Sequence, residues 1–226
     1  MNEMIGIYGI GWIDETGYGS VKKQIRTGLK DLTDPEVSGR RDLFSYPFKG
    51  FSRLDKTSKT ACCAVALALK DAGMDYSQEH KHKTGIIGAN PSGCLQSDVE
   101  YFKDYIENGR VMSRGNLFIY TLPSSPLGEA AIHFRLQGPL FYMFHRDHPE
   151  SVLDTAAEMI LLDEAPTMLA GVMNENDSIF FVLGRGLEPG TGILCGVEQA
   201  RVILGQTVAP STLAARFSTV NTGPHE

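Results

Sequence analysis

A chain of 226 residues is long enough for one domain with a substantial core and short for two complete ones. Its 42% hydrophobic and 21% charged content matches a soluble globular protein and excludes a disordered or fibrous one. A formal charge of −6 argues against nucleic acid as the main partner, because phosphate neutralisation needs clustered positive charge.

No run of about twenty apolar residues is present to span a bilayer, and the first residues lack the basic segment, apolar stretch and small-residue cleavage site of a secretory leader. The expectation is a cytoplasmic protein with no membrane partner. Cys62, Cys63, Cys94 and Cys195 show no C-x-x-C spacing for zinc, and the adjacent pair is a poor disulfide framework, so reduced thiols are expected.

Ile5 to Ile10 is an apolar run bounded by glycines, as in a strand buried on both faces. A helix is predicted near Ser20 to Leu29, with Val21, Ile25 and Leu29 four apart and Lys22, Lys23 and Arg26 outside. Residues 35–49 carry Gly and Pro without a clear period and read as a long connection. From Thr57 to Ala72 apolar residues cover most of a helix, which places it centrally, and Gly73 ends it. Thr84 to Ala89 is a second buried strand, closed by the Asn90-Pro91-Ser92-Gly93 turn. Leu95, Val99, Phe102 and Ile106 then recur at helical spacing, and another helix runs from about Ser125 to Phe134.

Leu140 to Phe144 is an apolar strand that runs into the polar turn His145-Arg146-Asp147-His148-Pro149 and the helix Pro149 to Leu162. Strands follow at Thr167 to Gly171 and Ser178 to Leu183, and Gly190 to Val202 adds an extended segment. Residues 1–205 are expected to form the domain and 206–226 a polar, flexible tail. Strands alternating with helices imply an α/β fold, a mostly parallel sheet with helices on both faces.

The turn at the start of the helix Pro149 to Leu162 is the place where backbone N–H groups would favour an anion or oxyanion. It offers His145, Asp147 and His148 as candidate catalytic groups, a histidine serving as general acid or base near neutral pH, but no Ser or Cys nucleophile. His145 and His148 with Asp147 lack a clear further ligand, so no metal is expected. The Gly6-x-x-Gly9-x-Gly11 run has reversed spacing for a dinucleotide loop and opens no helix at once, so no cofactor is expected either. Cys94 follows a turn with no evident base and reads as structural. Arg40, Arg41, Lys49, Arg53, Lys56 and Lys59 lie within twenty residues, a basic zone for an acidic partner or a phosphate, or else a solvated charged face.

Leu122-Pro123-Ser124-Ser125-Pro126 and the stretch Gly128 to Pro139 resemble the segment before the active-site cysteine of β-ketoacyl synthases of the thiolase superfamily. Ile5 to Gly11 resembles their first strand, Phe51 to Lys56 through Ala66 to Gly73 their first long helix, and Met168-Leu169-Ala170-Gly171 the strand after the cysteine-bearing helix. The resemblance covers blocks between residues 4 and 185 and implies a thiolase-like half with a mostly parallel five-stranded sheet. The family's Ala-Cys-x-Ser turn falls near Arg146 to His148, where this chain has no cysteine, and the segments supplying the family's histidines lie in the second half, which is missing here.

Thiolase-type enzymes duplicate this unit and bury helices between the halves. The resemblance therefore implies that a lone half would turn the helices Thr57 to Ala72 and Pro149 to Leu162 toward solvent, to be covered by a second copy in a homodimer or by a separate thiolase-like chain. It also implies a degenerate, non-condensing accessory subunit that binds acyl carrier protein or acyl thioester in a fatty-acid or polyketide-type pathway, with the Arg40 to Lys59 zone as its docking face. The alternatives are a dehydratase- or hydrolase-type component using a turn histidine on acyl thioesters, and a purely structural partner of a thiolase-like chain.

Overall fold

A computed structural model describes residues 5–28, 35–74, 76–110, 114–144, 148–185, 192–206 and 208–220. Strand β1 (Ile5–Asp14) is buried along almost its whole length. It turns at Glu15-Thr16 into β2 (Gly17–Ser20), and β3 (Arg26–Thr27) extends the ribbon. The helix predicted near Ser20 to Leu29 is absent from its described part. There the backbone N–H groups of Lys22 and Lys23 bond the Asp71 carboxylate, at 3.1 and 2.9 Å, instead of a carbonyl four residues back.

Helix α1 (Lys56–Asp71) starts at Asp55, whose side chain accepts from Ser58 N, and ends at Gly73. Gly73 has φ 73°, and Met74 N reaches back to Leu69 O, the left-handed closure that glycine allows. Then come β4 (Thr84–Ala89), α2 (Leu95–Glu107), the short α3 (Gly115–Phe118), α4 (Ser125–Phe134), β5 (Leu140–Met143), α5 (Ser151–Leu161), β6 (Thr167–Met173), β7 (Ser178–Arg185), β8 (Cys195–Gly196), α6 (Val197–Leu204) and α7 (Pro210–Val220). Where an extended segment was expected up to Val202, only the two residues of β8 are strand, and α6 follows.

The strands form one sheet in the order β3-β2-β1-β7-β6-β4-β5, with β8 beside β1. It is mixed, not mostly parallel. Only β4 runs parallel to its neighbours, β5 and β6; the other pairs are antiparallel. The reason lies in the connections: β1 to β2 and β6 to β7 are joined by tight turns, which can only reverse the chain, whereas a parallel pair needs a crossover such as α5.

One face of the sheet is covered by α1 and α4, the other by α5, α6 and α7. α1 lies unusually close. A Cβ at Gly11 would stand 2.2 Å from Ala64 O and Ala68 N, and one at Gly9 2.3 Å from Ala72 N. The glycine run near the chain start is therefore a seat for a helix rich in alanine.

The expectation of a bare α1 is corrected. Fourteen of its residues, Thr57 to Leu69 and Asp71, are buried within this chain. Leu43, Phe44 and Phe48, from the segment 35–49 read as a connection without a clear period, and Phe51 just beyond it pack into the same core cluster, together with α4 and Tyr76. Phe44 meets Phe48 and Phe51 edge-on at 5.7 and 5.5 Å, and Phe48 stacks on His133 at 3.8 Å. On the other face α5 buries Val152, Leu153, Ala156 and Ile160 beside α6.

Within the expected flexible tail, 210–220 form a docked helix, while 207 and 221–226 lie outside the described residues. α7 buries Leu213, Ala214 and Phe217, and its first turn is tied to β1 by Ser211 N donating to Asp14 Oδ2 at 2.9 Å. Three apolar residues on one face, Leu213, Ala214 and Phe217, are enough to dock a helix that also carries Ser211, Thr212, Arg216, Ser218 and Thr219.

Candidate functional site

The parallel strands β5, β4 and β6 end together, with Ala89 opposite Met143 and Val172. Side chains at the carboxyl ends of such strands face the crevice where α/β sheets hold ligands. Two turns and the first turns of α1 and α2 gather here. Thr57, Asn90, Ser92, Cys94, Ser97 and Asn174 are among the residues lining a cleft of about 230 Å³.

The turns are stiffened by their own amides. Asn90 donates to Gly93 O and accepts from Ser92 N, while Asn174 accepts from Asn176 N and Asp177 N and donates to the Asp177 carboxylate. Tyr142, on β5, donates to Asn90 O at 2.8 Å and so fastens the end of one strand to the turn after the next.

Cys94 lies on this rim, and its Sγ sits 2.9 Å from Thr121 O and 3.4 Å from Asp98 Oδ2. Burial first, then the bond to Asp98 and its negative charge, push the thiol up to about 11. A thiol that holds its proton so firmly is a poor nucleophile at neutral pH. Cys62 and Cys63 are enclosed in α1, and burial raises both.

Of the turn residues singled out in the sequence, His145 and Asp147 lie outside the described residues. His148 is 72% exposed in its side chain, and its Nδ1 stands 3.2 Å from Glu150 Oε1. Its carbonyl accepts from Ser151 N and Ser151 Oγ at the start of α5. The imidazole is thus oriented by a carboxylate at the start of α5, and its backbone is pinned. Among the described residues no group of three His, Cys, Asp or Glu could hold a metal ion.

The basic zone is divided by the fold. Lys59 is only 7% exposed, within α1. Arg40 is engaged with Asp42, 3.4 Å away, and lies 5.6 Å over the Tyr18 ring. Arg41 sits beside Lys70, whose Nζ bonds its carbonyl. Lys70 is near the end of α1 and Lys56 is its first residue, so about 21 Å of helix separates them. Arg53 and Lys56 are exposed next to Thr57 of the cleft, and Lys49 is exposed in the segment leading to them. Six charges adjacent in sequence are not one patch in space.

A carboxylate cluster escaped the sequence reading. Glu129 of α4 is hydrogen-bonded to Tyr120 and lies close to the charge of Asp55, which accepts from Ser97 Oγ at 3.2 Å. Burial first, then Asp55, raise the Glu129 carboxyl above its usual range. Tyr120 is pushed up to about 12 by burial and by Glu129. The one available signal was an acidic residue inside the apolar run Pro126 to Phe134.

No protein-family model and no curated protein matches this sequence. Solved structures do match its fold. An ishigamide ketosynthase/chain length factor is 15% identical, with a TM-score of 0.62 over 83% of this chain and 63% of that one. A type II polyketide acyl-carrier protein in complex with its ketosynthase bound to the hexaketide gives 19% identity and a TM-score of 0.64, covering 87% of this chain and 68% of that one. A β-ketoacyl synthase from Burkholderia phymatum gives 16% and 0.58, covering 81% and 59%.

The fold is therefore the thiolase-like fold of the ketosynthases, carried by a chain that spans about three-fifths to two-thirds of their length. Its sheet is the mixed one described above.

Proposed function

We propose that this protein is a non-condensing accessory subunit that binds an acyl carrier protein or its acyl thioester in a polyketide- or fatty-acid-type pathway. One observation carries the reading: a ketosynthase fold whose segment 144–150, after β5, contains no cysteine or serine to form an acyl-enzyme. The remaining thiol on the cleft rim, Cys94, is held protonated. A neighbour of the same fold is a ketosynthase in complex with an acyl-carrier protein.

Arg53 and Lys56, exposed at the cleft end of α1, are the docking residues, with Lys49 on the approach. Arg40, Arg41 and Lys59 are left out of the docking face for the reasons of geometry given above. Among the described residues no helix is long and apolar enough to cross a membrane, and the cytoplasm is the compartment this reading assumes. Titration calorimetry with an acidic type II carrier protein tests it. Binding should weaken about tenfold in an Arg53→Glu/Lys56→Glu variant, as for two rim charges of about 0.7 kcal/mol each. Unchanged affinity removes the proposed surface.

A second reading is an altered chemistry in which His148, held by Glu150, moves a proton on an acyl thioester. Thioester turnover lost in His148→Ala, with the fold kept, supports it; turnover that survives the change sinks it. A third is a scaffold for a second copy or a separate thiolase-like chain. It is favoured by the outer edge of β5, which among the described residues pairs with β4 alone and exposes Phe141 and, just beyond it, Phe144.

A further inference from the structure

Helix α2 is turned inside out. Leu95, Val99, Phe102 and Ile106 share one stripe, yet Leu95 is 65% and Phe102 60% exposed, while Asp104 faces the protein. Asp104 is held there by Arg114, whose backbone N and Nε donate to its two oxygens at 2.9 and 2.8 Å. The orientation is therefore fixed by the bonds of the largely exposed Arg114 to the buried Asp104, and the apolar stripe has no cover among the described residues.

We propose that α2 is a self-association surface, on which a second copy of this chain lays its own α2 side by side and in parallel. The inference rests on the second-copy reading above and not on carrier binding.

The stripe spacing of four, three and four is the alternation of a coiled-coil seam, giving four core layers over 13 residues. Asp98 and Lys103 flank the seam on opposite sides, five residues apart. That is the spacing at which the outer position of one helix meets its counterpart on a parallel partner, so each copy would bring one Asp98–Lys103 pair.

Phe102 packs near Tyr105, which borders the seam. The four seam side chains, hiding roughly 100 Å² apiece, come to roughly 400 Å² per protomer, about half of the ~800 Å² each partner gives to a stable complex, as for a weak dimer.

A lipid surface fits less well. α2 carries Asp98, Glu100, Asp104 and Glu107 against the single Lys103, and interfacial helices favour basic flanks.

Sedimentation of the full chain across concentrations tests the proposal. The expected result is a dimer that becomes monomeric in Phe102→Glu with an unchanged far-ultraviolet spectrum. Asp98→Lys or Lys103→Asp alone should weaken the dimer about tenfold, and the double exchange should restore it. Val99→Cys should cross-link between copies, as a parallel seam brings the two positions together.

A wild-type monomer at about 100 μM overturns the proposal, taking the usual micromolar range of weak association as the guide. So does a dimer indifferent to Phe102→Glu, which would move the interface to β5. Flotation of the chain with phosphatidylcholine–phosphatidylglycerol vesicles, lost in Phe102→Glu, would assign the stripe to a membrane instead.

Discussion

Asp71 shows how much one side chain fixes here. Its carboxylate, 1% exposed at the end of α1, accepts from Ile10 N at 2.9 Å within β1 and from Lys22 N and Lys23 N beyond β2. Ile10 follows the register shift between Ile7 and Gly9, where β1 cannot keep all its bonds to β7. Asp71→Ala strands these donors and should cost about 3 to 5 kcal/mol in urea unfolding. A cost below about 1 kcal/mol would mean that water replaces the carboxylate. Gly11→Val should cost about 3 kcal/mol or more in the same measurement, because its Cβ meets backbone that no side-chain movement can clear.

Glu129 belongs to the same scale. A raised carboxyl means that the folded state disfavours its charge, so the penalty is absent below the unfolded value of about 4.3, grows as pH rises from there, and is complete above the raised folded value. Glu129→Gln keeps an acceptor for Tyr120 and removes the charge. Its melting temperature should exceed the wild type's at pH 7, and the difference should close below about pH 4. Equal melting temperatures at pH 7 would deny the crowding of Asp55 and Glu129.

Among the elements, α7 was the least legible in the sequence and is held by a testable contact. Burial works to raise the Asp14 carboxyl, but the bonds from Ser211 and Thr16 outweigh it and leave it lowered. The stability it adds is present above the ordinary carboxylate value of about 3.9 and is lost as pH falls through the lowered folded one. Hydrogen exchange across 210–220 should accelerate there before the sheet opens, and Asp14→Asn should flatten that dependence. Simultaneous release of sheet and helix would place α7 within the cooperative core.

The long periodic helices and the strands 84–89 and 178–185 could be read from sequence, because their residues bury faces with one clear period. What could not be read was set by contacts distant in the chain. Val21, Ile25 and Leu29 mimic a helix, but Asp71, some fifty residues away, takes the N–H groups such a helix would use. The aromatic residues at 43–51 have no period because they fit around α1 from outside as single anchors. The direction of α2 was equally hidden: the stripe is visible in sequence, while the Asp104–Arg114 bond that points it outward is not.

For the molecule as a whole, the central finding is that α1 is enclosed by the chain's own aromatic segment and α4. Helix α1, expected to demand a partner, is covered internally, and the exposed apolar surfaces proposed for association are α2 and, in the alternative, the β5 edge. The cleft at the ends of the parallel strands is lined by residues that the sequence reading did not single out as catalytic, while of the turn it did single out His145 and Asp147 lie outside the described residues and His148 stands exposed before α5. On the proposed reading this cleft holds an acyl thioester near polar turns, with Cys94 kept protonated beside it.

Native mass spectrometry of the full chain mixed with an acyl-loaded type II carrier protein tests this most directly, since one spectrum reports both association and acyl transfer. The account predicts a non-covalent complex with the carrier and, after dissociation, a chain of unaltered mass. An acyl group found on Cys94 or any other residue of the chain, or no complex at all, would contradict it.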